Sequence, residues 1–206
     1  MSHDDFEIEP VPGLPERPPA SEVILWQGRP NWWALCVEAY NLYWVLGYFA
    51  GLALWRFITL VDIRPLGEAI AFSSPFLVMG AGVAALLLLI AFIQARATIY
   101  TITTARVAMR IGAALNVTLN LPYRQINRAD IAHHRGGVGT ITFGLAQAHK
   151  LSFLVLWPHT RPWRFSRPEP AFRAIPDAQH VAHILGEHAE AYSATPQIVA
   201  NPIPAE

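Results

Sequence analysis

The chain has 206 residues, 53% of them hydrophobic and only 15% charged, with fifteen basic residues balanced by fifteen acidic ones. That composition is too apolar for an ordinary soluble domain, and zero net charge leaves no bulk attraction for nucleic acid, which is excluded as a partner. A single cysteine, Cys36, excludes an internal disulfide framework and a cysteine-built metal site, and reads as a small apolar packing residue.

Residues 1–20 carry Asp4, Asp5, Glu7, Glu9 and Glu16 among Pro10, Pro12, Pro15, Pro18 and Pro19. Such a stretch offers little to bury and is expected to be extended rather than packed. It has no apolar run of the kind a cleavable signal peptide needs. Glu22 to Pro30 is a short apolar run closed by a turn signal. It reads either as an edge strand or as a collar lying on a surface, with Trp26 at headgroup level.

Ala39 to Trp55 is free of charge, and after Arg56 the apolar run resumes to Val61. Trp32, Trp33 and Tyr40 at one end and Trp55 at the other have the distribution of an interfacial aromatic belt. Ala69 to Ala95 contains no charged residue and no polar face at helical spacing. Each stretch approaches the roughly 20 apolar residues that cross a hydrocarbon core about 30 Å thick. The expected organisation is therefore an acidic, proline-rich segment over 1–31 and a transmembrane hairpin over 32–95, with spans at about 40–60 and 74–94. A soluble domain over 96–190 and a loose tail over 191–206 follow. Eleven of the fifteen basic residues lie from Arg96 onward. The positive-inside bias then places both termini on the cytoplasmic side of the inner membrane.

Beyond Arg96 the pattern alternates with period two. Leu115, Val117, Leu119 and Leu121 form one apolar face, and Val107, Met109 and Ile111 read as the partner strand. Ile141, Phe143 and Leu145 follow the turn Gly136-Gly-Val-Gly139, which reads as a β-turn rather than a phosphate cradle because no helix opens after it. Leu151 to Trp157 is too short to span and is predicted to be a buried strand. Asp177 precedes a helix with Val181, Ile184 and Leu185 on one face. The fold class is thus a membrane protein of α+β type, in which a two-helix hairpin carries a small C-terminal barrel closed by a terminal helix.

Particular strings sharpen this reading. They are Tyr100-Thr-Ile-Thr-Thr-Ala-Arg106, Arg110-Ile-Gly112, Leu119-Asn-Leu-Pro-Tyr-Arg-Gln-Ile126 and Gly137-Val-Gly-Thr-Ile141. Together they resemble the bacterial pleckstrin-homology-like (PH-like) domains that follow a membrane hairpin. With Glu9 to Glu16 and Glu22 to Pro30 added, residues 6–190 resemble the photosynthetic-complex assembly proteins of purple phototrophic bacteria. The resemblance implies an accessory factor that binds reaction-centre and core-antenna subunits without catalysis; handling of lipid or bacteriochlorophyll in the same pathway is the alternative it leaves open. It supplies no catalytic residues.

The candidate binding residues are small ones in the spans. Gly47 with Gly51, and Gly80 with Ala84, have the spacing that lets helix backbones approach closely in lipid, where hydrophobicity gives no drive for pairing. Such contacts serve the hairpin itself, a client helix or a second copy of the chain. Arg96, Arg106, Arg110, Arg124 and Arg128 are candidates for contact with anionic lipid. His133, His134, His180, His183 and His188 read as surface histidines, since carboxylates to complete a metal site are sparse nearby; no metal and no cofactor are expected. Glu38 reads as a hydrated residue at the membrane interface.

Overall fold

The computed structural model describes residues 11–14, 16–112, 116–146 and 152–194. Asp4, Asp5, Glu7 and Glu9, the first position of the 115–121 pattern and the last twelve residues lie outside these. Helix α1 (Trp32–Ala39) begins at Asn31, whose side chain accepts a hydrogen bond from the Ala34 amide at 3.0 Å. Asn41, in the left-handed conformation at φ 54°, breaks the path between α1 and α2 (Leu42–Val61). After a short turn α3 (Leu66–Ala97) runs back. The 20 residues of α2 cover about 30 Å and the 32 of α3 about 48 Å. Helix α3 therefore extends past the predicted 74–94 at both ends. Pro75 lies inside α3 and removes one backbone donor, and the Ser74 hydroxyl takes up the Ala71 carbonyl that it leaves, at 3.1 Å.

Both helices are long and apolar enough to cross a membrane. Only 11% of the most apolar window of each is buried within the chain. Trp44, Leu54, Trp55, Ile58, Val78 and Leu86 all point outward. A pair of helices in water would turn these side chains toward a core.

Only Thr98 separates α3 from the first return strand. Strands β1 (Ile24–Gly28), β2 (Ile99–Thr103), β3 (Arg106–Ile111) and β4 (Val117–Pro122) form one antiparallel sheet in that order. Strands β5 (Ile126–His133), β6 (Val138–Leu145) and β7 (Ala171–Pro176) form a second. The two sheets enclose one core in which Tyr100 stacks on Phe172 at 4.4 Å and Phe143 meets Phe172 edge-on at 5.0 Å. The terminal helix α5 (Ala178–Ala194) closes it with Val181 and Leu185, which are buried as the spacing requires. The α+β architecture read from the sequence is the one formed. Met109 faces Leu119 and Val107 faces Leu121, the register that the alternation dictated.

Three local expectations resolve or change. Within the 22–30 run, Ile24–Gly28 forms an edge strand paired to β2 from Ile24–Thr103 to Gly28–Tyr100, so the chain starts the sheet before the hairpin and completes it afterwards. The proline-rich segment is not simply extended. Val11 and Leu14 bridge across a tight turn, and Leu14 is fully buried. Gly13, at φ 87°, allows that turn; a Cβ there would lie 2.6 Å from Ile99 Cγ2. Finally, the predicted strand at 151–157 is instead a single turn of helix, α4 (Phe153–Leu156), ended by Trp157 and Pro158. The second edge of β6 is taken by β7, from residues 171–176, rather than by this run. Among the described residues of this run Leu156 alone enters the core, while Leu154 and Val155 stay outside.

Candidate functional site

Several enclosed polar side chains, among them Thr98, His159, Thr160 and Arg173, gather where the two-sheet domain meets the hairpin. Leu35 and Cys36 of α1, Ala91 and Ala95 of α3 and Ala174 of β7 form one apolar cluster with Tyr40. The Asn31 amide donates to the Ala174 carbonyl at 2.7 Å, which ties the start of α1 to β7. Beside this cluster Arg173 of β7 is buried, and its guanidinium donates to the carbonyls of Thr160 at 3.4 Å and Glu38 at 3.2 Å. Glu38 is enclosed rather than hydrated as the sequence suggested. Desolvation pushes its carboxyl up to about 7, against the opposing pull of Arg173. His134 Nε2 lies 3.2 Å from Glu38 Oε2 but out of hydrogen-bond alignment. Burial and then the charges of Arg173 and His133 hold His134 below the usual histidine range.

One histidine locks this junction. His159 is buried, with Nδ1 2.6 Å from Tyr100 Oη and Nε2 3.1 Å from Thr98 Oγ1. Tyr100 Oη already accepts from the Arg173 amide at 3.1 Å, so its own proton goes to Nδ1. The imidazole is then the neutral Nε2–H tautomer and donates to Thr98, the residue on which α3 ends. Desolvation, reinforced by Arg173, pushes His159 down to about 3. Nothing in the residue pattern marks this clasp or Arg173. Single residues on a loop and a strand, 61 and 73 positions from their partners on β2 and at its start, carry no periodicity.

The predicted binding residues separate into two groups. A Cβ on Gly80 would sit 2.8 Å from Phe49 Cβ, so that glycine permits the close approach of α2 and α3. Ala84 packs against the cluster shared with α1. Gly47 and Gly51 point away from the molecule, and a Cβ on either meets nothing within 4 Å. The five arginines do not converge. Arg106 makes paired hydrogen bonds to Glu22 at 2.8 and 3.1 Å, an ion pair that holds the approach to β1 against β3. Arg128 faces Asp130 at 3.0 Å and Glu169 at 3.7 Å. Arg96 is exposed with its guanidinium over Phe92, Arg124 is exposed on the turn after β4, and Arg110 lies half-buried on β3.

The fold also brings His133, His180 and His183 to one open hollow with Asp177, a grouping that sequence distance hid. Among the described residues, no three His, Cys, Asp or Glu side chains stand close enough to hold a metal ion. His188 bonds the Ile184 carbonyl of its own helix. The glycine stretch is the turn between β5 and β6, with Gly136 and Gly137 both at positive φ and a strand, not a helix, following.

A two-sheet domain closed by a terminal helix and clasped to an apolar helical hairpin is the class of protein these observations define. The chain belongs to the bacterial PH domain family, whose profile matches residues 44–189, from α2 to α5. It is 47% identical over 206 residues, 98% of this chain and 95% of the other, to a Rhodobacter capsulatus protein described as "Uncharacterized 23.7 kDa protein in puhA 5'region". No solved structure matches it significantly.

Proposed function

We propose that this chain is a PuhB-type assembly factor: a non-catalytic holder of membrane subunits of the photosynthetic reaction centre and its core antenna. The observation that carries the binding reading is the outward glycine pair on α2. Gly47 and Gly51 face open space on a helix whose surroundings are apolar, while the corresponding pair on α3, Gly80 and Ala84, is already used inside the hairpin. In lipid such a face accepts another helix by close backbone contact. The photosynthetic client is supported by the resemblance of residues 6–190 to the assembly proteins of purple phototrophic bacteria, alongside the relative described as lying in a puhA 5' region. Both long helices cross the inner membrane in this reading. The excess of basic residues after α3 keeps the PH-like domain and both termini cytoplasmic, where the domain meets the cytoplasmic ends of the client helices.

The test is affinity purification of the full chain from native photosynthetic membranes in mild detergent. Reaction-centre or core-antenna subunits are expected to co-purify, and to be lost from the Gly47→Leu/Gly51→Leu double variant. Their reproducible absence with the parent chain would overturn the assignment.

A further inference from the structure

Residues 153–165 present an apolar surface that the fold does not use. Leu154 is 84% exposed and Trp163 85%, and Val155, Trp157 and Phe165 are open beside them. Scattered exposed apolar residues are ordinary, but five on one short segment form a patch of the kind that marks an interaction surface.

Its position decides what covers it. The Trp157 ring meets Tyr40 edge-on at 5.0 Å, and Tyr40 ends α1 one residue before Asn41 redirects the chain into α2. A hollow of about 310 Å³ separates Phe153, Trp157, Trp163 and Phe165 from Glu38 and Asn41 at this same corner. On its other side the segment is tied by His159 to Thr98, where α3 ends. The patch therefore sits beside the points where both long helices join the soluble domain. Tyr43 and Trp44, on the first turn of α2, are exposed at that corner and continue the aromatic band. Arg161 and Arg164, which pair with Glu169, lie among the apolar side chains. Trp and Phe with arginine alongside are the composition of the boundary between headgroups and acyl chains.

We infer that residues 153–165 insert into the cytoplasmic-side lipid interface and hold the PH-like domain down on the bilayer from which its hairpin emerges. The occupant is lipid, and this rests on the reading that α2 and α3 span. The soluble domain is then fixed by three attachments, namely α2, α3 and this loop, which prevents it from swinging about the ends of the helices.

Site-directed spin labelling of the full chain in phospholipid nanodiscs tests this. Cys36 is buried and is left in place, with the parent chain as the labelling background. Labels go at Leu154→Cys and Trp163→Cys, both exposed enough to leave packing undisturbed, at His183→Cys on the open face of α5, and at Leu54→Cys on α2. Insertion requires that 154 and 163 show an oxygen-to-nickel-chelate accessibility ratio several-fold above that of 183 and approaching that of 54. A ratio at 154 and 163 equal to that at 183, with 54 still oxygen-rich, would overturn the insertion and leave the hairpin intact. Labels shielded from both reagents would mean that protein, a second copy included, covers the patch, which also overturns it. A nickel-accessible label at 54 would overturn the membrane hairpin and the loop proposal together.

Discussion

Replacing Gly80 by valine tests how the hairpin is built and, by contrast, which of its glycines are free to meet a partner. The new Cβ would stand 2.8 Å from Phe49 Cβ, whereas carbon atoms in contact prefer about 3.5–4.0 Å. The clash is with a Cβ and not with the end of a flexible side chain, so no rotamer change of Phe49 relieves it. The helix backbones must separate by roughly 1 Å, which loosens the α2–α3 contact along its length. Overpacking of this kind costs about 1–3 kcal/mol, and the better helix propensity of valine returns only a few tenths of that. For a chain of this size the expected fall in Tm is about 1–11 °C. At Gly47 and Gly51 an added side chain meets nothing, so Gly47→Leu and Gly51→Leu should melt within about 0.5 kcal/mol of the parent. Thermal unfolding of all three variants in the same nanodiscs, followed by far-UV circular dichroism, reads the difference. If Gly80→Val melted with the parent, or either leucine variant melted clearly below it, the assignment of Gly80 to the internal contact and of Gly47 and Gly51 to the outer face would be wrong.

Two further predictions concern pH and run in opposite directions. His159 has a folded-state pKa near 3, below its ordinary value of 6.5, so the stability it contributes is present above 6.5 and lost as pH falls toward 3. His159→Gln keeps a donor for Thr98 and an acceptor for Tyr100 without titrating, so its denaturation midpoint should fall less between pH 6.5 and 4 than that of the parent; an unchanged slope would remove His159 as the cause. Glu38 is raised from 4.5 to about 7, so its contribution is present below 4.5 and lost as pH rises through 7. Glu38→Gln should therefore gain stability relative to the parent at pH 8 compared with pH 5, and a constant difference between the two would show that Glu38 is ionised throughout.

The features legible in the sequence are those that depend on neighbours along the chain. A charge-free run from Ala69 to Ala95 requires an apolar solvent whatever it packs against, and alternation from Val117 to Leu121 commits one strand face to a core. The register of β3 on β4 and the burial of Val181 and Leu185 followed from the same local periods. The run at 151–157 misled because a short apolar stretch has no period to distinguish a strand from a single helical turn; the second edge of β6 goes to β7 instead. Leu14 was missed because one buried side chain among prolines makes no pattern.

Two apolar helices ahead of an α+β domain are readable from the residue order alone, because hydrophobic length and periodicity are properties of contiguous residues. Three features emerge only from the packed chain: β1, which precedes the hairpin, pairs with β2 beyond it; Arg173 and His159 clasp the domain to the end of α3; and Gly80 faces inward while Gly47 and Gly51 face out. Glycines at equal spacing on two helices are indistinguishable until the rotation of each helix is known, and that rotation is set by which side chain, here Phe49, stands opposite.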